Sequence, residues 1–213
     1  FCKAYDPATA ANELGVVLSD TYFGEQPKSR SSLKESYEFV LRDLKKAEEL
    51  LDEDNDWYSN VYFTKAAAHA IHARVALYMQ DWDLAIEHSS KLINRTDVFE
   101  LATTDLYSGN QTYIDYMWTN DAAFEIIWKV GFTITSYGGA LGQIFLNYNN
   151  DFTYYYPDYV PAQWVLQAYG SGDARYATYF TNLQTGYSHG LAWPLLTKYY
   201  GNESFMQSMI YHV

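Results

Sequence analysis

From Leu33 onward the apolar positions Leu33, Tyr37, Val40, Leu41, Leu44, Ala47 and Leu51 recur at spacings of three and four, the period of one helix face. Lys34, Arg42, Lys45, Lys46 and Glu49 fall largely outside that stripe. Ser32-Leu33-Lys34-Glu35 has the form of a capping box, in which the serine accepts from the backbone and the glutamate reaches back to it. The pattern predicts a helix from Leu33 to about Leu51. Thr64 is placed to cap a second helix running to about Met79, with alanine at 66, 67, 68, 70, 73 and 76, a composition that suits close helix packing. Trp82, Ala85, Ile86, Ser89, Leu92 and Ile93 mark the expected buried face of a third helix. Only Gln80 and Asp81 remain for the turn before it, and a turn that short makes antiparallel neighbours.

These helices follow one another at roughly the period of a helical hairpin, as in degenerate tetratricopeptide-type repeats of about 34 residues. The later sequence is less regular. Phe124 to Val130 predicts a strand, Val160 to Tyr169 and Ser204 to Met209 predict short helices, and Gly, Asn and Tyr dominate between them. The expected fold is mostly α, a tetratricopeptide-like helical-repeat scaffold with long aromatic-rich loops and minor β. Residues 30-96 form the helical-repeat hairpins and 97-213 the loop-rich aromatic region of a single domain spanning 1-213.

Composition sharpens the division. Residues 1-96 hold 11 of the 14 basic residues but only 6 of the 22 tyrosines. With 26 acidic residues and a formal charge of -12, the chain lacks the clustered positive charge that phosphate backbones require, so no nucleic-acid partner is expected. An anionic membrane surface is disfavoured for the same reason. The apolar run Ala66 to Met79 is broken by His69, His72 and Arg74, which argues against a spanning helix. The single cysteine, Cys2, can make no internal disulfide and reads as a packing residue.

Several motifs touch on chemistry without completing it. Gly186-Tyr187-Ser188-His189-Gly190 fits G-x-S-x-G, but Thr181 to Thr185 is too polar for the buried strand that should precede a nucleophile, and Pro194 obstructs the helix that should follow. A hydrolase using Ser188 is therefore the least favoured reading, and the chain is not expected to be an enzyme. Asp52, Asp54 and Asp56 alternate as the first ligands of an EF-hand do, but Trp57 and Phe63 stand where the turn glycine and bidentate glutamate belong, so an EF-hand is rejected and a solvated helix exit is favoured over another kind of calcium site. His69 and His72 lie three apart on the second helix. With no third ligand nearby in sequence they read as packing residues, and no metal or cofactor is expected. Gly138-Gly139-Ala140-Leu141-Gly142 lacks the lysine and spacing of a phosphate loop and reads as a flexible loop.

What remains is the aromatic excess: Trp57 with Tyr58, Tyr113 with Tyr116 and Trp118, and above all the stretch from Asn147 to Tyr159. A pyranose offers an apolar face to an aromatic ring and a rim of hydroxyls to Asn and Asp, so this mixture suits sugars. The candidate stacking residues are Tyr154, Tyr155 and Tyr156, and the candidate hydroxyl partners are Asn149, Asn150 and Asp151, with Tyr148 and Tyr137 beside them. An alternative is a helical-repeat protein-interaction scaffold without glycan binding, whose interfaces would also be rich in Tyr and Trp.

Arg30-Ser31-Ser32-Leu33-Lys34-Glu35-Ser36-Tyr37 and Leu41-Arg42-Asp43-Leu44-Lys45-Lys46-Ala47 resemble the R-S/T-x-x-E-x-Y and D-L-x-x-A pattern of SusD/RagB-like proteins. Thr64 to Ala68, Ala73 to Tyr78, Trp82 to Ala85, Glu125-Ile126-Ile127-Trp128, Asp173-x-Arg175 and Lys198-Tyr199 continue the likeness in order, from about Gly15 to Tyr200. The resemblance implies a non-catalytic surface lipoprotein of the outer membrane of Bacteroidetes, binding a glycan ligand for a SusC-like TonB-dependent transporter. It also implies a longer protein, of which this is a central fragment with its lipid anchor elsewhere; Phe1-Cys2-Lys3 is no lipobox. In that family aromatic residues after the E-I-I-W strand contribute to the glycan site, which corresponds here to Tyr137 through Tyr156.

Overall fold

A computed structural model describes residues 3-22, 29-52, 61-120, 122-131, 141-147, 154-186 and 191-198. The chain divides into two compact units, Phe1–Asp56 with Tyr62–Phe99, and Trp57–Val61 with Glu100–Val213. Among the described residues no helix is long and apolar enough to cross a membrane.

The first unit is helical. Helix α1 spans Leu33–Leu50 and opens with the expected capping box: Ser32 Oγ accepts from Glu35 N at 3.2 Å, and Glu35 Oε2 accepts from Ser32 N at 2.8 Å. The preceding chain is laced to this start. Val16 N donates to Ser36 Oγ at 3.0 Å, and Arg30 Nε donates to Gly15 O at 2.7 Å. Gly15 allows this close approach, because a Cβ there would collide with the Ser36 hydroxyl and the Ser32 carbonyl. Helix α2, Lys65–Met79, is capped by Thr64 as expected, and Ala66, Ala67, Ala68 and Ala76 are buried. It ends at Gln80, whose φ of 61° lies in the left-handed region, and Asp81 then caps α3, Trp82–Ile93. Helix α2 packs against both α1 and α3.

The face of α3 differs from the one its apolar pattern predicts. Trp82, Ile86 and Ile93 are 57, 62 and 70 % exposed, whereas His88 is 3 % exposed and faces α2. The apolar stripe is real, but the side of the helix that meets its neighbour carries the histidine. Val40 on α1, placed on the buried stripe by its spacing, is likewise exposed.

The second unit mixes short elements. Strands β1 (Leu106–Ser108) and β2 (Gln111–Thr112) form an antiparallel hairpin whose turn uses Gly109 at a φ of 59°. Helix α4, Tyr113–Asn120, follows directly, with Thr112 and Asp115 bonding each other's backbone and side chain across its first turn. Thr178 on helix α7, Ala174–Tyr179, donates its hydroxyl to the same Asp115 carboxylate and ties the two helices together. Helices α5, Leu141–Leu146, and α6, Gln163–Ala168, are shorter than two turns. The buried apolar residues of this unit include Met117, Ile126, Leu146, Phe180 and Leu195.

Two expectations meet corrections here, the strand at Phe124 and the start of the helix after Val160. Phe124 to Val130 is not a strand: Ile126 N closes a turn on Ala123 O at 3.1 Å, Glu125 takes the Ala102 N–H at 2.7 Å, and only Lys129 makes a bridge. The polar stretch after Tyr179 does form a strand, β3 (Phe180–Gln184), paired antiparallel with β4 (Ala192–Leu196). It is a surface ribbon rather than a buried strand, so Thr181 and Asn182 are exposed, and β4 accommodates Pro194 opposite Asn182 as an edge strand can. The helix expected from Val160 begins only at Gln163, past Pro161. Ser204 to Met209 lies outside the described residues.

Candidate functional site

Tyr154, Tyr155 and Tyr156 are half-buried and strapped between α5 and the end of β3. Tyr155 N donates to Gln184 O at 2.9 Å, and its own carbonyl accepts from Gly186 N at 3.1 Å, an isolated parallel bridge. Tyr156 N donates to Asn147 O at 2.6 Å, and its ring packs directly over Gly186, where any side chain would collide with it. The structure thus brings the three tyrosines together on one strap, with the Tyr156 ring engaged in packing. Tyr137, Tyr148, Asn149, Asn150 and Asp151 lie outside the described residues, as does Ser188.

A more open aromatic site stands at the β1–β2 hairpin and the start of α4. The Tyr107 and Tyr116 rings lie 4.0 Å apart at 30°, and Tyr113 meets Tyr107 edge-on at 5.4 Å. Together with Phe124, Thr103 and Asp105 they line a cavity of about 320 Å³. Tyr113 N bonds Asp105 O and Thr103 Oγ1 bonds Asp105 Oδ2, both at 3.0 Å, so the polar rim is fixed to the same helix start as the rings. Aromatic faces beside a carboxylate and a hydroxyl offer stacking and paired hydrogen bonds to a polyol. The sequence flagged Tyr113 and Tyr116. Tyr107 was missed, and the signal for it is the Ser108-Gly109-Asn110 turn that folds its strand back onto α4.

Asp173 and Arg175 of the D-x-R motif and Lys198 of the K-Y motif stand elsewhere in this unit. Asp173 caps α7 and grips Arg175 through two bonds of 2.9 and 2.6 Å, which holds the Asp173 carboxyl below its usual range. The Lys198 ammonium sits 4.0 Å from the Trp118 ring centre and 4.8 Å from that of Tyr179. Burial pushes the lysine down and the Tyr179 hydroxyl up from their ordinary values. Arg175, Tyr179, Trp118, Trp128 and Glu125 line a cavity of about 310 Å³.

In the helical unit, side chains from all three helices converge. Glu48 on α1 places Oε1 2.7 Å from His72 Nδ1 and 3.2 Å from both His69 Nδ1 and His88 Nδ1. The His72 and His88 rings stack at 3.7 Å and 32°. Burial, then the neighbouring His72, push the His88 imidazole down to about 4, and burial lowers His69 against the pull of Glu48. His72 and His88 stand eight residues either side of Gln80, so the tight α2–α3 turn sets them face to face. That symmetry was available in the sequence, whereas Glu48 was hidden among the polar positions of α1.

No protein-family model matches the chain, and no curated protein matches it. Solved structures do. A SusD superfamily protein from Bacteroides vulgatus superposes with a TM-score of 0.68 at 20 % identity, covering 98 % of this chain and 45 % of that one. A SusD-like carbohydrate binding protein from the same species gives 0.71 at 16 % identity, covering 99 % and 44 %. Surface glycan-binding protein A from Bacteroides uniformis gives 0.63 at 14 % identity, covering 86 % and 42 %. The chain has the SusD-superfamily fold, as the order of its motifs implied, and spans less than half the length of these structures.

Proposed function

We propose that this chain is part of a non-catalytic glycan-binding protein of the bacterial cell surface. It would hold oligo- or polysaccharide for a SusC-like TonB-dependent transporter, anchored by a lipid on a segment outside this sequence. The observation that carries the reading is the aromatic cavity of Tyr107, Tyr113 and Tyr116 with Asp105 and Thr103 on its rim, of a size that admits a sugar ring. The fold shared with proteins named for carbohydrate and glycan binding supports it. The strap of Tyr154, Tyr155 and Tyr156, with Tyr148, Asn149, Asn150, Asp151 and Tyr137 preceding it in sequence, is the second proposed contact surface.

Affinity electrophoresis through gels cast with a panel of polysaccharides tests this. The parent chain should be retarded by at least one of them without releasing sugar from it. Tyr107→Ala with Tyr113→Ala should weaken retention about thirtyfold, at roughly 1 kcal/mol for each stacked ring. Tyr154→Ala with Tyr155→Ala measures the strap separately. A well-folded chain that no polysaccharide retards sinks the proposal.

The exposed stripe Trp82, Ile86 and Ile93 on α3 favours the interaction-scaffold reading as the alternative. Under that reading Ile86→Asp abolishes capture of a protein partner; under the glycan reading it leaves retention by polysaccharide unchanged.

A further inference from the structure

Glu48 Oε1, His69 Nδ1 and His88 Nδ1 form a triangle with edges of 3.1, 3.2 and 3.2 Å, one atom from each of three helices. With the carboxylate ionised, protons alone leave this triangle unsatisfied. If both ring nitrogens carry a proton, both can donate to the carboxylate, but the nitrogens then face each other at 3.1 Å with no lone pair between them. If only one does, the bare nitrogen turns its lone pair toward the carboxylate oxygen at 3.2 Å. A single cation above the triangle receives all three lone pairs at once.

The dimensions fit one. In a tetrahedral centre with metal–ligand bonds of about 2.0 Å, the ligand atoms stand about 3.3 Å apart, close to the edges seen here. Two imidazoles and a carboxylate are ligands that Zn²⁺ accepts readily, and they leave a fourth position open. Glu48 and His69 line a cavity of about 540 Å³, also bordered by Lys45, Lys65, Lys91 and Arg95, from which water or a small anion can reach that position. His72 Nδ1, 2.7 Å from Glu48 Oε1 and stacked on His88, is placed to hold the carboxylate and the ring in register.

We propose that Glu48, His69 and His88 bind a divalent transition-metal ion, Zn²⁺ foremost, with His72 as the positioning residue. The site would join α1, α2 and α3 and is independent of any glycan surface.

The test uses the chain stripped by a chelator and titrated calorimetrically with Zn²⁺, then with Co²⁺ as a spectroscopic probe. One Zn²⁺ per chain is expected, with the intense visible bands of four-coordinate Co²⁺. His69→Gln and His88→Gln should each weaken binding by about a hundredfold or more, and His72→Gln by about 10–100-fold. The double variant His189→Gln/His212→Gln, which keeps only the three helical histidines, should bind as the parent does. Should His88→Gln lose helix by circular dichroism, His69→Gln decides, since that ring sits at the cavity wall. Zn²⁺ binding that survives His69→Gln, binding abolished in the His189/His212 double variant, or no binding by the parent overturns the proposal.

Discussion

His72 Nδ1 lies 2.7 Å from Glu48 Oε1, so a buried imidazole on the alanine-rich second helix is answered by a carboxylate on the first. The consequence is that Glu48 serves as a structural acceptor with or without a bound ion. Glu48→Leu should destabilise the metal-free chain by about 1–3 kcal/mol, the usual cost of leaving buried polar groups unsatisfied. Urea unfolding in the presence of chelator measures it, and a variant as stable as the parent refutes it.

The capping box at α1 is a second handle. Ser32→Ala removes the acceptor for Glu35 N and should cost about 1 kcal/mol, whereas Ser32→Gly should cost only a few tenths. Comparing the two urea midpoints separates the cap from general disturbance of the Gly15–Ser36 contact; equal losses would assign the effect elsewhere.

Asp115 sets an acid limit. Burial raises its carboxyl pKa, but hydrogen bonds from Thr178 and Thr112 outweigh that and hold it below the usual carboxylate range. A depressed native pKa contributes stability that is present above the unfolded value of about 4 and is lost as pH falls through the native one. Asp115→Asn should therefore be less stable than the parent near neutrality, with the gap narrowing below about pH 4. Thermal melts from pH 3 to pH 7 would show it, and a gap constant across that range would contradict it.

Gln80 occupies a left-handed conformation at the end of α2, which suits glycine better than a residue with a Cβ. Gln80→Gly should raise stability by about 0.5–1 kcal/mol despite losing the exposed bond to Tyr5 O. A lower urea midpoint would mean that the bond to Tyr5 outweighs the backbone strain.

The three helices of the first unit were legible because their signals are local: Ser32, Thr64 and Asp81 cap them, and the period between caps is helical. The buried face of α3 was not legible, since an apolar stripe shows that a face exists without showing which side has a neighbour. His88 took the inner position and left Trp82 and Ile86 outside. For the same reason the apolar run Phe124 to Val130 looked like a strand: its pattern says nothing of whether a partner strand is present. The β3–β4 ribbon escaped because Thr181, Asn182 and Gln184 make β3 polar, Pro194 interrupts β4, and their pairing, Thr181 with Leu195, spans a stretch no local window sees. Of the aromatic site, Tyr113 and Tyr116 were visible as part of the aromatic excess, while Tyr107 joins them only through the hairpin turn. His69 and His72 were visible as a pair, and their ring partner and carboxylate needed the packing of three helices to appear.

The connections inside the helical unit differ in length. Helices α2 and α3 meet across Gln80 and Asp81, whereas the chain from Leu51 to Thr64 separates α1 from α2. Loop closure loses more chain entropy as the loop grows, so the α2–α3 contacts form first and the docking of α1 follows. In kinetic terms Ala76 should then show a higher φ-value than Leu44, and the reverse order would refute the sequence of events. The assembly of the cluster inherits that order. The imidazoles of His69 and His88 meet in the early hairpin, and the carboxylate of Glu48 is delivered to them last, as the folding of the unit closes.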